Sequence, residues 1–107
     1  MVGEQFNIYL VRLDPTVGAE MKKTRPCVIV SPTEMNQSLL TVVVAPLTTS
    51  QSEFVFRVAS QFGGRTGEVA IDHLRSVDKR RLVKRLGRLD GATQALLSSA
   101  LVEMFRL

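Results

Sequence analysis

Residues 6–32 read FNIYLVRL-DPTVGAEMKKTR-PCVIVSP, two apolar runs around a polar loop. Phe6–Leu13 is rich in aromatic and branched residues, as strands are, and stops at Asp14-Pro15. Thr16–Arg25 is polar, carries Gly18 and three basic residues, and reads as a loop long enough to hold function. Pro26 opens a second strand, Cys27–Val30, which Ser31-Pro32 ends.

Downstream, Ser31-Pro32-Thr33-Glu34 starts a short helical turn ending near Gln37. Leu39–Ala45 is apolar with little alternation, as in a strand buried on both faces. Leu47–Ser52 is a second polar loop, and Glu53–Ala59 alternates like a half-buried strand. Gln61–Gly67 holds three glycines and turns. Glu68–Asp72 is a strand that His73–Val77 continues or bends, and Asp78 caps a turn through Arg81. Leu82–Leu89 is a strand among basic residues. Asp90 or Gly91 then caps a helix over Ala92–Phe105, with Leu97, Leu101, Met104 and Phe105 on one stripe and Thr93, Gln94, Ser98 and Glu103 on the wet side. The fold class is therefore α+β, mainly β: about six short strands in a small, strongly bent antiparallel sheet or barrel, with the C-terminal helix covering an open face. The absence of helices between the strands argues against a doubly wound α/β fold.

With 107 residues the chain is one domain, 1–107. Its single cysteine, Cys27, excludes an intrachain disulfide. Its single histidine, His73, excludes a pair of histidines acting within one chain, and no zinc site can be built from Cys and His alone. The opening residues show no basic segment followed by an apolar run, and no apolar run approaches the ~20 residues of a membrane span, so a cytoplasmic protein is expected. Charge is uneven. Residues 1–53 carry four Lys/Arg against five Asp/Glu, whereas residues 54–107 carry ten against five. Six of those ten fall in Lys79–Arg88, a block that serves either a polyanionic partner, nucleic acid first, or a solvated strand surface.

Gly63-Gly64-Arg65-Thr66-Gly67 lacks the Lys-Ser/Thr of a phosphate-binding loop and is a turn. What remains for chemistry is a set of polar residues at strand ends: Glu20, Arg25, Thr48, Thr49, Asp72, His73 and Arg75. Asp72 and His73 alternate on a strand, so only one of them faces a groove.

Asp14 to Val30 spell D-P-x-x-G-x-E-x-x-x-x-R-P-x-V-x-V. With Ala45-Pro46-Leu47-Thr48-Thr49 and Val69–Leu82 in the same order, the chain closely resembles the MazF/PemK/Kid toxins of bacterial toxin–antitoxin pairs, over nearly its whole length. That resemblance implies an SH3-like β-barrel with a C-terminal helix, a homodimer, and metal-independent cleavage of single-stranded RNA at a short sequence, without a cofactor. It implies a cognate antitoxin with an acidic, disordered tail, and DNA binding by the toxin–antitoxin complex. It carries Arg25 and Thr48 as catalytic, with Glu20 and Asp72 as further site residues. Two departures stand out: Phe6-Asn7 replaces the Gly-Asp often found before the first strand, and Ala19 replaces the His that the Kid branch has beside the loop Glu. The general base thus stays open between Glu20 and Asp72.

Physical roles follow. A fixed guanidinium at Arg25 binds two phosphate oxygens as negative charge builds, its competing role being a salt bridge to Glu20 or Asp14. Thr48 holds a non-bridging oxygen or stabilises a turn. Lys22, Lys23, Thr49, His73, Arg75, Lys84 and Arg85 are candidate RNA contacts, the basic ones tracking phosphates without choosing sequence. The alternative of another class is a CcdB-like toxin that binds DNA gyrase without cutting. Such chains end in an apolar, aromatic tail, whereas this one ends Met104-Phe105-Arg106-Leu107 and has no Trp.

Overall fold

β1 (Asn7–Arg12) and β2 (Thr24–Ile29) pair antiparallel around the polar loop, with Ile8 opposite Val28 and Arg12 opposite Thr24. β2 begins two residues before Pro26 and runs through it. The ring is tolerated because β3 pairs with β2 only over Cys27–Ile29, so nothing on that side asks Pro26 for a donor. A short helix, α1 (Thr33–Ser38), leads into β3 (Thr41–Thr48), the strand on which the sheet turns. One edge of β3 meets β2. The other meets β6 (Arg75–Asp78) over its first half and β5 (Arg65–Ala70) over Leu47–Thr48. β4 (Arg57–Phe62) adds to β5, and β7 (Leu82–Arg88) adds to β1. The order is β4-β5-β3-β2-β1-β7, with β6 off this path on β3, a seven-stranded curled antiparallel sheet. The computed structural model describes residues 3–52, 54 and 56–107.

Alternate residues of the central strands enter two cores. Ile8, Val28, Val30, Ala45 and Val69 face one side, and Tyr9, Val11, Cys27, Ile29, Val42 and Val44 the other. Burial on both faces is why these strands read as unbroken apolar runs. α2 (Gly91–Met104) lies over the first core with Leu97 fully buried, which contributes about 2 kcal/mol. Asp90 caps it by accepting the Thr93 amide at 2.7 Å. The helix-covered, mainly β fold expected from the sequence is the fold observed.

Several local expectations are corrected. The loop expected at Leu47–Ser52 begins later, because β5 holds Leu47 and Thr48 in the ladder. The strand expected over Glu53–Ala59 starts at Arg57 instead and runs to Phe62; Glu53 and Val55 lie outside the described residues. The expected turn over Gln61–Gly67 is a two-residue hairpin at Gly63-Gly64, both at positive φ (60° and 75°), flanked by the paired Phe62 and Arg65. On α2, Leu97, Leu101 and Met104 pack on the first core as expected, but Thr93 is buried rather than wet, and Phe105, at the C-cap beyond the last helical residue, is 60% exposed. Asp72 and His73 do not alternate on a strand. Ile71–His73 forms a 3₁₀ turn that puts their side chains side by side.

Candidate active site

The loop between β1 and β2 is closed at its base by the Leu13 amide donating to the Lys23 carbonyl at 2.9 Å. Inside it, a Glu20 carboxylate oxygen accepts the Val17 amide at 2.5 Å, so Glu20 shapes its own loop. Lys22 and Lys23 are exposed at the loop's end. Arg25 follows, on the first turn of strand. Its Nε donates to the Lys22 carbonyl at 3.3 Å and one terminal nitrogen lies 3.5 Å from the Met21 sulfur. Among the described residues it forms no ion pair; the salt bridge to Glu20 or Asp14 is not made. The guanidinium is positioned by neutral acceptors and keeps its full charge for a ligand.

Thr48 ends β3 opposite Glu68, and its hydroxyl accepts the Ser50 amide at 3.2 Å. Gly67 lets the two strands approach here. A Cβ at that position would lie 2.0 Å from the Thr48 carbonyl oxygen and 3.2 Å from the Thr49 Cα. Backbone cannot yield as a side-chain tip can, so Gly67→Ala is expected to destabilise the fold by roughly 1–3 kcal/mol and to displace Thr48. Urea unfolding together with cleavage rates checks this; an unchanged midpoint and rate would contradict it.

Two hollows flank this end of the β2–β3 pair. One, about 300 Å³, is walled by Pro26, Leu47, Thr48, Thr49, Phe62 and Gly67 among others. The second, about 150 Å³, gathers Glu20, Asp72, His73 and Arg75 with Leu13, Met21, Pro46 and Leu74. Glu20 and Asp72, far apart in sequence, thus share one hollow with both His73 and Arg75. Arg75 is anchored by a 3.0 Å bond to the Leu13 carbonyl. Cys27 is fully buried on β2 in the second core; burial pushes its thiol up to about 12, against the pull of Arg25 and Arg75, so it is a core residue and no nucleophile.

An ion-pair chain that sequence reasoning missed supports Asp72. Arg57 grips it at two points, Nε to Oδ1 at 2.5 Å and a terminal nitrogen to Oδ2 at 3.0 Å. Arg57 also lies 3.5 Å from Glu68, and both side chains are only 8% exposed. Glu68 in turn accepts the Ser52 amide and hydroxyl at 3.1 and 2.9 Å. The Arg57 hydrogen bonds hold the Asp72 carboxyl below the usual carboxylate range. The available signal was Arg57 itself, a lone charge in an alternating, half-buried strand, opposite the small Ala70 that leaves it room.

The basic block divides. Arg80 pairs with Asp78, Arg81 bonds the Arg12 carbonyl, Arg88 the Gln5 carbonyl, and Lys79 the Asn36 carbonyl. Lys84 and Arg85 are exposed on β7, opposite Leu10 and Tyr9, with no such bond among the described residues. They are the members able to meet a polyanion. Replacing both by Ala is expected to weaken RNA binding and to flatten its log–log salt slope by about 1.4, at roughly 0.7 per phosphate contact on a single strand. Titrations at several salt concentrations read the slope, and an unchanged one would leave them as a solvated surface.

Residues 4–105 match the family described as PemK-like, MazF-like toxin of type II toxin–antitoxin systems. The Escherichia coli protein named endoribonuclease PemK is 41% identical over 93 residues, covering 80% of this chain and 69% of that protein. The chain belongs to the PemK/MazF toxin family. MazF from Deinococcus radiodurans has the same fold, with a TM-score of 0.85, 24% identity, and coverage of 97% of this chain and 96% of that one. A mycobacterial endoribonuclease solved in complex with its cognate antitoxin matches at a TM-score of 0.79 and 26% identity, over 94% of this chain and 91% of that one. A PemK/MazF toxin is half of a toxin–antitoxin pair, so a cognate antitoxin is its partner, and the CcdB-like alternative is set aside. Among the described residues of this toxin, no helix is long and apolar enough to cross a membrane.

Proposed function

We propose that this toxin is an endoribonuclease cutting single-stranded RNA through the RNA's own 2′-hydroxyl, which attacks the adjacent phosphorus and expels the 5′-oxygen. The observation that carries the reading is Arg25. It is a guanidinium held by a carbonyl and a sulfur and paired with no carboxylate among the described residues, and the Met21 it touches lines the hollow that holds Glu20, Asp72 and His73. Arg25 stabilises the charge that grows on the phosphoryl oxygens, and Thr48 fixes one of them. Glu20 takes the 2′-hydroxyl proton. Both Asp72 oxygens are engaged by Arg57, which makes Asp72 the poorer acceptor of the two. The nucleophile is already bonded into the substrate, so no water needs to be positioned and no cofactor is called for.

The toxin acts as a homodimer in the cytoplasm, and its antitoxin's acidic tail, folding as it binds, covers the same basic surface as RNA. Incubation with a long single-stranded RNA in excess EDTA tests this. Cutting at a short recurring sequence is expected to persist, leaving 2′,3′-cyclic phosphate and 5′-hydroxyl ends, and to stop when antitoxin is added in excess. Loss of cutting in EDTA, 5′-phosphate products, or a ternary complex that still cuts would contradict it.

A further inference from the structure

The leaving 5′-oxygen departs as a poor alkoxide unless it is protonated, and neither Arg25 nor Thr48 is a ready proton donor at neutral pH. We propose that His73 is the general acid of the cleavage, donating its proton to that oxygen; this rests on the RNA-cleavage reading above.

Placement is the first argument. With Ala19 in the β1–β2 loop, His73 is the chain's one imidazole. The 3₁₀ turn Ile71–His73 brings it into the 150 Å³ hollow that Glu20 also lines, so a proton acceptor and a proton donor border one space. Its side chain is 25% exposed, sheltered yet reachable.

Support from behind is the second argument. Nε2 of His73 lies 3.6 Å from Oδ2 of Asp72. Asp72 is immobilised by the two-point grip of Arg57, and Arg57 by the sheltered Glu68, which is itself tied to Ser52. A carboxylate held in this way fixes the ring from its Nε2 side and leaves Nδ1 as the nitrogen that can serve as donor. The other charged groups bordering the hollow are Glu20 from the loop and Arg75 from β6. Asp72, Arg57 and Glu68 are positioning residues in this scheme.

The step balances. The 2′-hydroxyl proton passes to the Glu20 carboxylate as the P–O2′ bond forms. The P–O5′ bond breaks, its electron pair stays on O5′, and His73 supplies the proton there. Neutral imidazole and protonated Glu20 are then reset by exchange with water.

The test compares two RNAs, one natural and one with sulfur in place of the bridging 5′-oxygen at the mapped cut site. A thiolate leaves without protonation. His73→Ala is expected to slow single-turnover cleavage of the natural RNA about 10²- to 10⁴-fold while the sulfur RNA stays within a few-fold of wild type. Asp72→Asn is expected to show the same pattern with a smaller loss. Near wild-type rates on the sulfur RNA demonstrate that the variant is folded. An equal loss on both RNAs, or no loss on the natural one, overturns the assignment. If the unaltered toxin cuts neither RNA, it is the RNA-cleavage reading that fails.

Discussion

Arg25→Ala is expected to lower RNA cleavage by roughly 10³-fold, about 4 kcal/mol of barrier, while thermal unfolding stays close to wild type. The separation of the two effects follows from the contacts. Arg25 makes one bond to the Lys22 carbonyl and one weak contact to the Met21 sulfur, and it pairs with no carboxylate among the described residues. Removing it strands no buried charge. Arg25→Lys is expected to recover little, because a point charge cannot hold two phosphoryl oxygens in one plane. Measured kcat for both variants, beside their melting curves, decides the matter. Retention of more than about a tenth of wild-type kcat by Arg25→Ala would remove Arg25 from the charge-stabilising role.

The contrast with Arg57 shows what an arginine's surroundings say about its work. Arg57 is nearly buried and engaged by two carboxylates, so it holds structure in place. Arg25 is half-buried and held by neutral groups, so its charge is unspent. From composition alone the two are indistinguishable. Asp72 is the corresponding case among the acids: gripped at both oxygens, it serves its neighbour His73 better than it serves as a base. That pairing has a stability consequence as well. The Asp72 carboxyl is lowered in the folded chain, so its contribution is present above about pH 4 and is lost as pH falls through the folded value.

Much of this architecture was legible in the residues, for local reasons. Asp90 and Asp78 cap the elements that follow them through bonds to amides two or three residues on, an interaction contained within a few positions. The apolar run Leu39–Ala45 announced a strand with two covered faces, although Leu39 and Leu40 precede β3 and are exposed. The illegible parts depended on partners distant in sequence. Gly67 read as one more turn glycine, yet it is a strand residue whose missing side chain admits the Thr48 carbonyl. The α2 stripe Leu97, Leu101 and Met104 was legible, but Thr93 went in with the first turn and Phe105, past the helix end, stayed out. Asp72 and His73 looked like strand neighbours because only the turn at Ile71 brings them together.

For the site, the residues Glu20, Arg25, Thr48 and Asp72 were named from sequence, but their grouping was not. The structure places Glu20 and Asp72 with His73 and Arg75 in one hollow and Thr48 with Pro26 in its neighbour, either side of consecutive residues Pro46 and Leu47. Arg25 lines neither hollow; it joins them through its neighbours, Pro26 in the wall of one and Met21 in the wall of the other.

The central claim is that the nucleophile belongs to the RNA. A substrate carrying a single 2′-deoxynucleotide immediately 5′ of the mapped cut, otherwise identical, removes that nucleophile and nothing else. Cleavage at the modified site is expected to vanish in excess EDTA. Binding, driven by phosphate contacts that the substitution leaves intact, is expected to stay within about 0.5 kcal/mol of the all-ribose RNA. Efficient cutting of the deoxy substrate at the same bond would contradict the account, because an external nucleophile would then be doing the chemistry.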